Sequence, residues 1–256
     1  MRNEVTRLQQ NRAVARPAPV LPPTPIENPP PKDEPTNPAE NAGRDLGLAV
    51  LRGDPSALGK ILDLAKAENL SFNSNHAGLD QNQWGDLARS TFAPLNAAFD
   101  VICEGATNGN QFALNAVVSS LPIRELNGLA CQSLGALGGK GNAAAVDVLT
   151  TPDKYGILLA SAVANLKPAA DSGNQKAIDF LAAAPTNEAN QGLWFMAADG
   201  LDRAAESGNP VAVDAFIGWL SSTNQNVRKV VIPGLQKAAA NQNAKAAQAL
   251  RAAGLL

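Results

Sequence analysis

A chain of 256 residues with a formal net charge of −2 and only 4% aromatic residues lacks the basic field of a nucleic-acid surface, and must build its core from small aliphatic side chains. One histidine and two cysteines are too few for a zinc cluster and confine any histidine-based triad to His76, so no metal or cofactor site and no enzymatic role is expected. No run of about 18 apolar residues offers a membrane span. The N-terminus MRNEVTRLQQNR is followed by no apolar stretch of the secretory kind, so the expected location is the cytoplasm, or a virion if the chain is viral.

Residues 1–41 hold ten of the eighteen prolines and no periodic apolar pattern, which predicts an extended or disordered arm, preceded by a short polar helix over 3–14. Arg16, Pro19 and Pro22 have the spacing of a proline-rich ligand with one flanking cation, as SH3-type domains prefer. A solvated linker and an arm docked on a partner or a neighbouring subunit fit the same composition.

From residue 42 to 256 the chain repeats a helix–turn–helix pattern about six times. The first copy has a short helix over 42–51, then Gly53-Asp54 and a second helix that opens with Pro55 at its first position, where a missing amide costs nothing. The same junction recurs at Asn110, Asn142, Asn174, Asn209 and Asn243, separated by 32, 32, 35 and 34 residues. A glycine precedes each except Asn243, which follows Gln242. Glycine enters the left-handed region that closes a helix, and Asn or Asp accepts from the free amides of the next one. Alanine stands three residues after every cap, at positions 57, 113, 145, 177, 212 and 246. Counting backwards, an aliphatic residue falls at minus eight (Leu46 to Leu235) and a small one at minus twelve (Ala42 to Val231), which sets a stripe on the first helix of each pair. Small residues at fixed sites predict close helix approach.

The first two caps are 56 residues apart, so a loop of about 69–83 (NLSFNSNHAGLDQNQ), holding His76, is expected as an insertion. Beyond it, Pro122, Pro152 and Pro185 mark turns between repeats, with Asp153, Asn187 and Asn224 as caps. Pro94, Pro168 and Pro233 fall inside expected helices and should kink or break them. The last helix ends in GLL, either as an apolar end or as a docking site. Cys103 and Cys131 read as buried thiols, with a disulfide or a reactive thiol as the alternatives. Leu137 to Gly141, LGGKG, follows no strand and so does not read as a phosphate loop.

Two stretches resemble known arrays. Asn224 to Ala239, NQNVRKVVIPGLQKAA, resembles a HEAT or short-period HEAT-like repeat through Val227-Arg228 after a polar turn, whereas AADSGNQKAIDFL and AAESGNPVAVDAF look like the junction of Sel1-type repeats. The Val-Arg pair is missing from the other copies, and the glycine and aromatic that follow the junction in Sel1 repeats are missing here. Both families are two-helix solenoids that bind proteins. The resemblance implies binding to other proteins. The repeats predict an all-α, right-handed superhelix of six helix pairs acting as a structural or scaffolding protein, and the arm, as a strap across neighbours, suggests partners that are copies of the chain or other subunits of an assembly such as a virion. Nucleic acid and membrane are not expected partners. A HEAT-repeat enzyme related to bilin lyases, or a chaperone, is the alternative. Within the array, Asp147, Asp179 and Asp214 recur five residues after consecutive caps, and stacked repeats would align them as an acidic ladder. Ordinary solvation and recognition of a partner's Lys/Arg row are both open for them.

Overall fold

The computed structural model describes residues 37–75, 78–184, 191–223 and 225–256. The short helix expected over 3–14, Arg16, Pro19, Pro22, His76, Pro185, Asn187 and Asn224 lie outside them. The helices are α1 (Pro38–Leu51), α2 (Ala57–Asn75), α3 (Gln81–Thr91), α4 (Ala93–Thr107), α5 (Gln111–Ser120), α6 (Asn127–Gly139), α7 (Ala143–Leu149), α8 (Pro152–Tyr155), α9 (Leu159–Asn165), α10 (Lys167–Asp171), α11 (Gln175–Ala182), α12 (Gln191–Glu206), α13 (Pro210–Trp219), α14 (Gln225–Ala240) and α15 (Ala244–Ala252). No strand occurs among the described residues. The arrangement is an all-α solenoid. Each leading helix (α1, α4, α6, α9–α10, α12, α14) pairs with a following one (α2, α5, α7, α11, α13, α15) and packs on the leading helix of the next repeat.

The junctions behave as their residues dictate. Gly53, Gly109, Gly141, Gly173 and Gly208 have φ between 76° and 88°, and Gln242 adopts the same conformation at 69°. The next residue donates back five positions, as Asn142 does to the Leu137 carbonyl at 3.0 Å and Asn243 to Ala238 at 3.0 Å. This is the paired hydrogen-bond closure of a Schellman motif. The Asn side chain then accepts from the alanine amide three residues on: Ala113 at 3.0 Å, Ala145 at 3.0 Å, Ala177 at 3.1 Å, Ala212 at 3.3 Å and Ala246 at 3.0 Å. Asp54 instead accepts from Ser56, and α2 begins only at Ala57, after Pro55. All six alanines are fully buried, so the recurrent residue supplies the capped amide and also the small contact.

The minus-eight and minus-twelve stripes are buried from α4 onward, but α1 departs from them. Ala42 is exposed and Leu46 half-buried, while Gly43, Gly47 and Val50 face the core. A Cβ on Gly43 would lie 1.9 Å from the Pro94 carbonyl oxygen, and one on Gly47 would lie 2.7 Å from that of Ala98. The two backbones touch, which favours a glycine face over the alanine one. This helix also begins before residue 42: Asn37 caps the Ala39 amide at 3.1 Å and Pro38 occupies the first turn.

Where a loop was expected over 69–83, α2 continues to Asn75 and α3 starts at Gln81 behind an Asp80–Gln83 capping box. The polar side chains bond back along the helix: Asn69, Ser74 and Asn75 each donate to the carbonyl four residues earlier, at 2.8 Å. Phe72 meets Trp84 at 5.2 Å and Phe92 at 5.4 Å, joining α2 to α3 and to the start of α4. Pro94 and Pro168 stand at the first turns of α4 and α10, each just after a break, while α14 runs on through Pro233. Asp153 lies inside α8, whose cap position is Thr151. Leu137 to Gly141 is the closing turn of α6, a carbonyl end that offers no free amides to a phosphate.

Candidate functional site

The acidic residues singled out by their spacing are exposed but not free. Lys176 of the next repeat reaches Asp147 at 2.7 Å, and Lys245 pairs with Asp214. Both lysines stand two residues after their own cap. Asp179 has Val211 at that place in the next repeat and instead accepts from Gln175 of its own helix at 2.7 Å. The three carboxylates thus belong mostly to ties between repeats. A second charged group on α10, α12 and α14 is likewise paired internally, through Lys167–Asp199 at 3.4 Å and Lys237–Glu206.

Both cysteines are free, which excludes the disulfide alternative in this structure. Burial pushes both thiols up, and at Cys103 Asp100 adds to the rise while a Ser133 hydrogen bond and Lys140 oppose it. Neither thiol is activated as a nucleophile. No group of three or more His, Cys, Asp or Glu side chains placed to hold a metal ion occurs among the described residues, and none of their helices is long and apolar enough to cross a membrane.

Among the described residues the widest concavity lies along the seam between α4 and α6. Gly43 and Gly47 bring α1 onto α4. On α6, a Cβ at Gly135 would fall 2.4 Å from the Asn165 carbonyl oxygen, and one at Gly139 would fall 2.8 Å from Pro168, so α6 lies tight on α9–α10. Between α4 and α6 no glycine serves this purpose: Gly105 of α4 faces Leu51, and a Cβ on Gly128 of α6 would meet nothing within 4 Å. With side chains rather than backbone in the contact, the axes stand further apart. A groove follows, made of two concavities of about 750 and 430 Å³ that share Asn96 and Leu129.

The larger concavity is lined by Cys103 and Leu129, with Phe99 almost wholly buried behind them, and by the polar Asn96, Gln132 and Ser133 alongside Asp100, Glu104 and Lys140. Phe92 and Leu95 line the smaller one, with Asn69, Arg89 and Glu125 at its mouth. Asp100, Glu104 and Glu125 are exposed, and no salt bridge reaches them among the described residues. Arg89 is already held by Asp86.

Behind the Asn69–Leu95 wall lies Glu68, only 6% exposed, with neither carboxylate oxygen in a well-formed hydrogen bond. Desolvation pushes its carboxyl up to about 7, opposed only by the Leu95 amide in the first turn of α4. Sequence reading missed the groove because its rim lies on the outward side of the helices, opposite the periodic stripe. The one available signal was Asp100 and Glu104, spaced one turn apart on that side. Comparison of the chain with protein-family models, with curated proteins and with solved structures gives no match.

Proposed function

We propose that the chain is a non-enzymatic scaffold that binds another protein through the α4–α6 groove, as a HEAT-like array within a larger assembly. The observation that carries this reading is the groove itself, an opening between α4 and α6 whose rim carries Asp100, Glu104 and Glu125 against Lys140 as the one cation not already engaged, and whose walls include half-buried Phe92 and Leu129. Such a surface suits a protein partner, which buries the floor and answers the charge. Lysines already occupy two places in the row Asp147, Asp179 and Asp214, which supports the groove over that row as the contact surface. The setting proposed is the cytoplasm or a particle assembled there, in keeping with two free thiols.

Site-specific photocrosslinking tests it. A benzoylphenylalanine at Gln132, on the groove wall, should capture a discrete partner in cells, and the same probe at exposed Gln248 on α15 should not. Equal capture at both positions, or none at Gln132, would remove the groove from the contact surface.

A further inference from the structure

We infer that the α4–α6 groove receives a basic amphipathic helix of a partner protein, its apolar side on half-buried Phe92 and Leu129 and its Lys or Arg side chains on Asp100, Glu104 and Glu125. This rests on the scaffold reading and adds the chemistry of the partner.

Shape is the first ground. The two concavities share Asn96 and Leu129 in their walls, so they lie side by side along the seam. Strand addition needs a sheet edge, and the described residues contain no strand, whereas docking of a polyproline helix needs a wall of exposed aromatic rings, and of the two that line this groove Phe99 is only 3% exposed. A helix satisfies its own backbone and needs only an apolar floor and side-chain partners.

Charge is the second. Asp147, Asp199, Glu206 and Asp214 each take a lysine from a neighbouring repeat, whereas Asp100, Glu104 and Glu125 take none. Lys140 is the one cation lining the groove that is not already engaged, since Arg89 is held by Asp86. Carboxylates beside low-dielectric walls concentrate the field and draw in cations.

The test selects helix-length random peptides on the full chain and, in parallel, on an Ala136→Trp/Gly128→Trp variant. Both positions are exposed, and the new side chains fill the two concavities; circular dichroism and thermal unfolding confirm that the variant is folded. Peptides retained by the wild type and lost by the variant should be enriched in Lys or Arg one turn apart beside an apolar stripe. One of them, synthesised, should bind Asp100→Lys/Glu104→Lys at least about tenfold more weakly, with affinity that falls as salt is added. Groove-dependent peptides without a basic excess, or undiminished binding by the charge-reversed chain, would overturn the inference and leave the scaffold reading standing. If no peptide depends on the groove, the scaffold reading fails and takes the inference with it. A self-associating chain whose dimer is broken by the filled variant would make a second copy the occupant, and would also overturn it.

Discussion

Gln242 occupies the place that glycine holds in the other five junctions, at φ 69° and with the same pair of closing hydrogen bonds. A side chain in the left-handed region costs roughly 1–2 kcal/mol. Glycine returns about 0.5–1 kcal/mol of that through its greater freedom in the unfolded chain. Gln242→Gly should therefore stabilise the protein by about 0.5–1 kcal/mol. The converse change, Gly141→Ala, should cost a similar amount from backbone conformation alone, because a Cβ there meets nothing within 4 Å. For an array of this size each kcal/mol moves the thermal midpoint by about 2–4 °C. Stability in a stack is set largely between neighbours, so amide exchange in α14 and α15 is the more sensitive assay, with urea unfolding as the global one. Unchanged or faster exchange in Gln242→Gly would falsify the strain argument, since the glutamine side chain would then be supplying what the backbone loses.

Glu68 makes stability depend on pH. Its folded carboxyl sits at about 7 against an ordinary 4.5, so the fold favours the neutral form. The contribution is present in full below about pH 4.5 and is lost as pH climbs through 7, up to about 3 kcal/mol in all. Urea unfolding of the wild type should weaken from pH 5 to 8 and that of Glu68→Gln should not; parallel pH profiles would refute this. Gly43→Ala should destabilise by about 2 kcal/mol or more, because the methyl is driven into the Pro94 carbonyl at 1.9 Å and α1 must lift; a loss below about 0.5 kcal/mol would show that α1 can slide. Asp147→Asn, Asp179→Asn and Asp214→Asn combined should cost less than about 1 kcal/mol, because the lysine pairs at Asp147 and Asp214 are more than half exposed. That loss should vanish in high salt, and a larger, salt-insensitive one would mean that the carboxylates brace the repeats by other means. Asn142→Ala removes the acceptor of the Ala145 amide and should cost about 1 kcal/mol, read as faster amide exchange in the first turn of α7.

Legibility followed the range of the interaction. The Gly-Asn junctions, the buried alanines and, from α4 onward, the leading-helix stripe were readable because each depends on residues within one turn of each other; in α1 the expected stripe gives way to Gly43, Gly47 and Val50. Asn69, Ser74 and Asn75 misled in the stretch between the first two repeats. Their polar side chains suggest a loop, yet each bonds back into α2, and Phe72 finds ring partners that no local pattern announces. The carboxylate row was found in the sequence, but the lysines that occupy it were not, because Lys176 lies 29 residues from Asp147.

By itself the sequence determined an all-helical chain punctuated by left-handed glycines and Asn caps, since a helix end is settled by the few amides and carbonyls nearest to it. Only the tertiary structure decided how far apart successive helices stand: backbone against backbone where Gly43, Gly47, Gly135 and Gly139 allow it, side chain against side chain between α4 and α6. That spacing depends on which residue of one helix meets which residue of another, and two helices brought together by packing alone carry no shared sequence period to report it. The open seam, the burial of Glu68 and the unanswered charge of Asp100, Glu104 and Glu125 all follow from it.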